Sequence, residues 1–300
     1  MSSIAYVSDP AMLEYHRLCR SQTILFWRLT VKNRFSDFHH GDLLFFYARG
    51  PRSRKKGFIG YGHYEGTRKL SLNQMWKQFG RMTGYDTKAQ LEEAIAKASR
   101  NHIPESMQCL ILSNIVFFTA PVFPKEVGLD IPANLESYCY IDKDDPSVTV
   151  RILKQADKFG IDLWSYDNRQ SPETVFKADE VRHILAMACY QMGKETGSEN
   201  EKTISHRLAR EKTKEDGWEL IRGSLSDCGS MDSHGIHLAI PFVCSSIDRP
   251  HRMQMWIGRA MLYALYLKQN KINDALYVSV LCETEDAEME RLVKQLNGQL

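Results

Sequence analysis

Phe26-Trp27-Arg28, Gly41-Asp42-Leu43-Leu44-Phe45-Phe46-Tyr47 and Gly57-Phe58-Ile59-Gly60-Tyr61-Gly62 are the three pieces whose reading decides the fold of this chain. Each is short, rich in aromatic and branched residues and bounded by turn-forming residues, so each reads as a strand. The middle piece is apolar nearly throughout, which predicts a strand covered on both faces. The glycines of the third predict strong bending or the close approach of another backbone. Between the second and third lies Arg49-Gly50-Pro51-Arg52-Ser53-Arg54-Lys55-Lys56. From Arg17 to Arg81 there are 14 Lys and Arg against only Asp37, Asp42 and Glu65. From Met82 to Val150 five basic residues face ten acidic ones, while the whole chain is only +2. A local positive field beside planar side chains suits a polyanion with stackable bases. The plainer reading of the same residues is a hydrophobic core with a solvated hairpin tip.

Outward from that stretch, Leu70 to Phe79 has helical spacing in Leu72, Met75, Trp76 and Phe79. Thr87 to Ser99 reads as a helix capped by Thr87, with Leu91, Ala94, Ile95 and Ala98 as its apolar stripe. Met107 to Phe118 reads as another buried strand. Asp142-Lys143-Asp144-Asp145-Pro146-Ser147 is a charged, proline-containing link. The expected division is therefore a domain at 1–145, a linker at 146–171 and a second domain at 172–300. The second domain reads as a helix from Pro172, strands at Trp218–Leu225 and Ile236–Cys244, a helix at Arg252–Lys268, a strand at Ala275–Leu281 and a last helix from Glu285. That order predicts an α/β core.

Three hundred residues of ordinary composition suit about two globular domains. No segment reaches the ~18 uninterrupted apolar residues of a membrane helix. The N-terminus lacks the basic start and apolar block of a secretion signal. The seven cysteines are scattered and form no CxxC pair. Reduced thiols and a cytoplasmic location are expected, with no zinc ribbon, no membrane partner and no cofactor. There is no GxxxxGK[ST] loop, no HExxH and no GxSxG elbow.

The Gly-Asp-hydrophobic strand ending in Tyr47, followed by the Gly-Phe-Ile-Gly strand, resembles the PUA superfamily, in particular its EVE-like branch, over about residues 20 to 120. The resemblance implies a compact β-barrel with inserted helices that binds RNA, or DNA bases extruded from a duplex, some of them modified. An extruded base needs stacking surfaces, and its phosphates need cations nearby. Trp27, Phe46, Tyr47, Tyr61 and Tyr64 are the candidate stacking rings. Arg28, Lys32, Arg34, Arg49, Arg52, Arg54, Lys55, Lys56 and Arg68 are the candidate phosphate contacts. Alternation along a strand sends about half of such rings inward.

The second half resembles the restriction-endonuclease-like fold, through its element order and through Gln254, Gly258 and Tyr263 on the late helix. The overall expectation is thus an α+β protein: a PUA-like barrel followed by an α/β domain of restriction-endonuclease-like topology. A working site of that kind holds Mg²⁺ on carboxylates with a nearby lysine. Here the strand His237-Leu238-Ala239-Ile240-Pro241-Phe242-Val243-Cys244 carries neither. Asp232, Glu180 and Asp227 are the nearest candidate catalytic residues for a metal-dependent nuclease, and His234 and His237 could join Asp232. The plain reading of Asp227 to Gly235 is a loop between strands. The leading expectation is a nucleic-acid-binding protein, read by analogy as part of a prokaryotic antiviral defence or surveillance system. The alternatives are the nuclease, and an interaction subunit or homodimer joined through the C-terminal domain by Met253, Met255, Trp256, Met261, Tyr263 and Tyr266.

Overall fold

The computed structural model describes residues 3–29, 35–50, 55–165, 171–193, 195–244 and 249–300. They form two compact units, 1–177 and 178–300. Arg52 and Arg54 lie outside the described residues, as do Lys32 and Arg34.

In chain order the first unit contains β1 (Ile4–Val7), α1 (Pro10–Leu18), β2 (Ile24–Arg28), β3 (Leu43–Arg49), β4 (Lys56–Leu70), α2 (Leu72–Phe79), α3 (Lys88–Ala98), β5 (Met107–Val122), β6 (Tyr138–Tyr140) and α4 (Ser147–Phe159). Its six strands form one sheet in the order β2-β5-β4-β3-β1-β6. Neighbours are antiparallel except β1 and β3. Among the described residues the sheet ends on β2 and β6, so the expected barrel is not closed.

The curl of this sheet comes from β4. Its register against β5 shifts three times, between Phe58 and Gly60, Tyr61 and His63, and Tyr64 and Gly66. Each shift bends and twists the strand. Gly60 is required by close approach. A Cβ there would stand 2.3 Å from the Val116 carbonyl oxygen and 3.0 Å from Phe117 Cα, both backbone atoms of β5.

Every residue from Leu43 to Ala48 is buried. Phe45, Tyr47, Phe58 and Tyr61 pack into one core with Val116, Phe118 and α4. Leu44, Phe46 and Tyr64 pack into a second with Tyr6, Phe26 and Phe117. A third core joins Leu25 and Cys109 to α2 and α3. Both helices begin at reciprocal caps. Ser71 Oγ accepts from the Gln74 N–H at 3.3 Å, and Thr87 Oγ1 from the Gln90 N–H at 3.3 Å. The glutamine side chains accept back from the cap N–H groups.

Residues 146–171, expected as a linker, contain α4 instead. Its buried Val148, Ile152, Leu153 and Ala156 belong to the first core. Asp142, expected in the exposed link, is itself buried. It accepts from the Ser3 N–H at 2.7 Å and the Thr149 hydroxyl at 2.9 Å, and so ties the start of α4 to the first strand. A buried carboxylate persists when its lone pairs are filled in this way.

The division at 177/178 falls within α5 (Pro172–Met192), and the second unit goes on with α6 (Glu199–Lys212), β7 (Glu219–Leu220), β8 (Cys228–Met231), β9 (Ile236–Pro241), α7 (Arg249–Gln269), β10 (Leu276–Leu281) and α8 (Ala287–Asn297). The sheet order is β10-β9-β8-β7. β7, β8 and β9 run as an antiparallel meander, and β10 returns parallel to β9 after α7. The segment read as a plain loop at 227–235 therefore supplies a strand, β8. Pro241 sits at the last position of β9, where its missing N–H costs little. Trp256, Ala260, Tyr263 and Leu267 form the buried face of α7, and Trp256 Nε1 donates to the Ile240 carbonyl at 3.0 Å.

Candidate nucleic-acid interface

Because the first sheet curls without closing, its edge strand β2 lines a cleft of about 1140 Å³. Phe26, Trp27, Arg28 and Leu29 form one wall; Tyr6, Val7, Glu136 and Ser137 form another. The N-terminal half of α1, the turn at Gly84–Asp86 and one side of α3 complete it. The Tyr6 and Phe26 rings meet edge-on at 5.6 Å, which joins β1 to β2, and Tyr6 stacks at 6.4 Å on Tyr138, its register partner on β6.

Trp27 and Arg28 are consecutive yet both reach the cleft, because it opens along the strand edge rather than over one face. Trp27 is half-buried. The Arg28 guanidinium donates to Gln108 Oε1 and lies over the rings of Phe35 (5.0 Å) and Tyr138 (6.0 Å). Such sandwiching fixes the planar fork while leaving it charged. Burial pushes the Tyr6 hydroxyl up to about 12, with Arg28 pulling the other way, so it remains a neutral hydrogen-bonding group.

The α1 side is acidic. Asp9 caps α1, its Oδ1 accepting from the Ala11 N–H at 2.9 Å. Asp86 Oδ1 accepts from the Tyr15 hydroxyl at 3.0 Å and faces Arg81 Nε at 3.4 Å. Burial raises the pKa of Tyr85, and the Asp9 charge adds to it. In all, Asp9, Asp86, Glu93 and Glu136 line the cleft against Arg28 and Lys97. The walls offer rings and hydrogen-bond acceptors, and their net charge is negative.

Of the stacking rings expected from sequence, only Trp27 reaches this cleft. Tyr47 and Tyr61 are core residues. Tyr64 is buried against Phe38 (4.6 Å) and Phe35 (6.0 Å), its hydroxyl 2.6 Å from Thr67 Oγ1. None of the three presents a face to solvent, because the strands carrying them are covered on both sides. Tyr6, Tyr15, Phe26 and Tyr85 line the cleft and were missed, since it assembles from segments as distant in sequence as Tyr6 and Ser137.

The cations are divided. Arg68 is exposed on β4, opposite Cys109, which also pairs with Trp27 on the other side. Lys56 donates to the Leu135 carbonyl at 3.1 Å and lies 5.8 Å from the Tyr47 ring, so it is engaged locally. Lys55 is exposed. Arg49 is exposed at the end of β3 and lines a second, smaller cleft of about 410 Å³.

In the second unit the three candidate catalytic acids do not form a centre. Asp227 and Asp232 flank opposite ends of β8, about 16 Å apart at strand spacing. Asp227 is buried, and its Oδ2 accepts from Arg259 Nε and the Tyr263 hydroxyl, each at 2.5 Å. Asp232 organises the β8–β9 turn, accepting from the His234 N–H at 2.7 Å and lying 3.1 Å from His237 Nε2. Those hydrogen bonds, the His234 N–H first, hold its carboxyl below the usual range. Glu180 is buried on α5. Among the described residues, no group of three or more His, Cys, Asp and Glu could hold a metal ion. The expected Asp232–Glu180–Asp227 site, and the set of Asp232, His234 and His237, are thus replaced by a core network and a turn. The expected partner surface is divided too. Trp256 and Tyr263 are buried, while Met261 is exposed beside Leu262 and Leu265.

No helix of the described residues is long and apolar enough to cross a membrane. The chain matches no family model and no curated protein. Among solved structures it is similar to ASCH from Zymomonas mobilis, at 16% identity and a TM-score of 0.36, over 49% of this chain and 93% of that one. A mutant form of the same protein aligns at 14% identity and the same TM-score, over 50% of this chain and 97% of that one. A likeness this faint carries no functional weight, and it lends the restriction-endonuclease-like reading of the second half no support.

Proposed function

We propose that the first unit binds single-stranded nucleic acid and takes one base into the cleft beside Trp27. The observation that carries this reading is the pairing of Trp27 and Arg28 on one strand edge, in a cleft whose lining also includes the half-buried rings of Tyr15 and Tyr85 and the buried rings of Tyr6 and Phe26. An aromatic face with a fixed guanidinium at its side is what an unpaired base needs, a stacking surface and an edge contact. The surplus of carboxylates keeps phosphate out of the cleft itself and favours base edges that donate hydrogen bonds. Polynucleotide charge is met outside it, by the exposed cations Arg49, Lys55 and Arg68. The second unit supplies no catalytic step in this reading.

The test is fluorescence anisotropy with labelled single-stranded 12-mers of RNA and of DNA, titrated at several salt concentrations. Affinity should fall with salt, as counterion release requires. Trp27→Ala should weaken binding about 5-fold or more, since one base stack is worth about 1–3 kcal/mol. Wild-type protein that fails to bind either polymer at low salt refutes the proposal, as does equal binding by the Trp27→Ala protein.

A further inference from the structure

The start of α1 lines both clefts of the first unit. Asp9, Met12 and Tyr15 face the larger one; Pro10, Leu13, Glu14 and Arg17 face the smaller; Ala11 lines both. Helical spacing explains the split, because residues three to four apart share a side of the helix. Ala11, the residue common to both linings, is exposed and carries only a methyl group.

Their linings differ in the balance of charged residues. The larger cleft has four carboxylates against two cations. The smaller has Arg17 and Arg49 against Glu14. Arg17 is held by Asp162, with Glu14 3.8 Å away, whereas Arg49 is exposed at the end of β3. The floor of the smaller cleft is apolar, made by Ile59, Phe117, Phe118 and Pro121. Its volume of about 410 Å³ lies within the ordinary range for small-ligand sites.

A strand whose base lies beside Trp27 must place its phosphodiester somewhere, and the acidic walls of that cleft repel it. We infer that the smaller cleft is a second nucleotide subsite: the adjoining phosphate crosses over Ala11 to Arg49, and the next sugar and base lie on the apolar floor. This rests on the nucleic-acid reading above. It assigns the phosphate contact to Arg49 and makes the minimal ligand a dinucleotide.

The experiment compares calorimetric affinities for a nucleoside, cytidine, and for the dinucleoside monophosphate of cytidine, using the full chain. Wild-type protein should bind the dinucleotide more tightly. Arg49→Ala should cut the ratio of dinucleotide to nucleoside affinity at least 10-fold and lower the salt slope by about 1, the signature of one lost phosphate contact. Ala11→Leu, which preserves helix propensity and adds bulk at the residue common to both linings, should cut the same ratio. An unchanged ratio in both variants overturns the subsite while leaving the base-binding cleft standing. Failure of the wild-type protein to bind either compound removes both readings together.

Discussion

His16 makes the first unit acid-sensitive in a calculable way. It lies on α1, fully buried, with Nδ1 3.0 Å from Ser21 Oγ and no hydrogen-bond partner for Nε2. Burial lowers its pKa from 6.5 to about 4. The unfolded chain therefore takes up a proton near pH 6.5 that the folded unit refuses until about pH 4. Stability is complete above 6.5, erodes as pH falls through that window, and has lost its full increment below 4. The full separation corresponds to about 3 kcal/mol, and the fall between pH 7 and pH 5 to about 2 kcal/mol. His16→Gln removes the titration while retaining a polar side chain of similar reach. Hydrogen exchange, corrected for intrinsic rates and resolved by peptide, reports the opening free energy of β3–β5 at each pH. The wild-type value should drop by about 2 kcal/mol more than that of the variant between pH 7 and pH 5. Peptides of the second unit provide the reference. There burial lowers the His183 pKa to about 3, so they should lose protection equally in both proteins. Identical pH profiles for β3–β5 in the two proteins would refute the reasoning, because they would mean that His16 can be protonated in the folded unit without cost.

Two further outcomes follow from the same geometry. Gly60→Ala forces a methyl against the Val116 carbonyl and Phe117 Cα, which cannot rotate away, so the β4–β5 ladder must shift. A loss of about 1–3 kcal/mol or more in urea denaturation is expected, and a stability equal to wild type would show that β4 does not approach β5 so closely. Asp9, Asp86, Glu93 and Glu136 present acceptors to a bound base, so short oligomers of cytosine or adenine, which carry exocyclic amino donors, should bind more tightly than uracil oligomers at one salt concentration. Equal affinities would mean that the carboxylates take no part in reading the base edge.

Local signals account for much of this architecture. The Ser71 and Thr87 caps, the helical stripe of Leu91 and Ile95, and the apolar runs that became β3, β5, β9 and β10 depend on neighbours a few residues away, and the chain states them directly. The link near Asp142 misled for the same reason. Its charges are local, but its burial rests on the Ser3 N–H, 139 residues away. The stripe of Val148, Ile152 and Ala156 was a legible sign of α4 that the preceding Asp-Pro run obscured. The candidate site was legible in one place, Trp27-Arg28. The choice of Trp27 over Tyr47, Tyr61 and Tyr64 was not. Strand parity decides which side a ring faces only when one face of the sheet is wet, and here both faces of β3 are covered. Nor could composition reveal that Asp227 and Asp232, five residues apart, would stand at opposite ends of a strand. Propensity and pattern act along the chain; the cleft and the fate of each buried charge are set by which distant segments pack together.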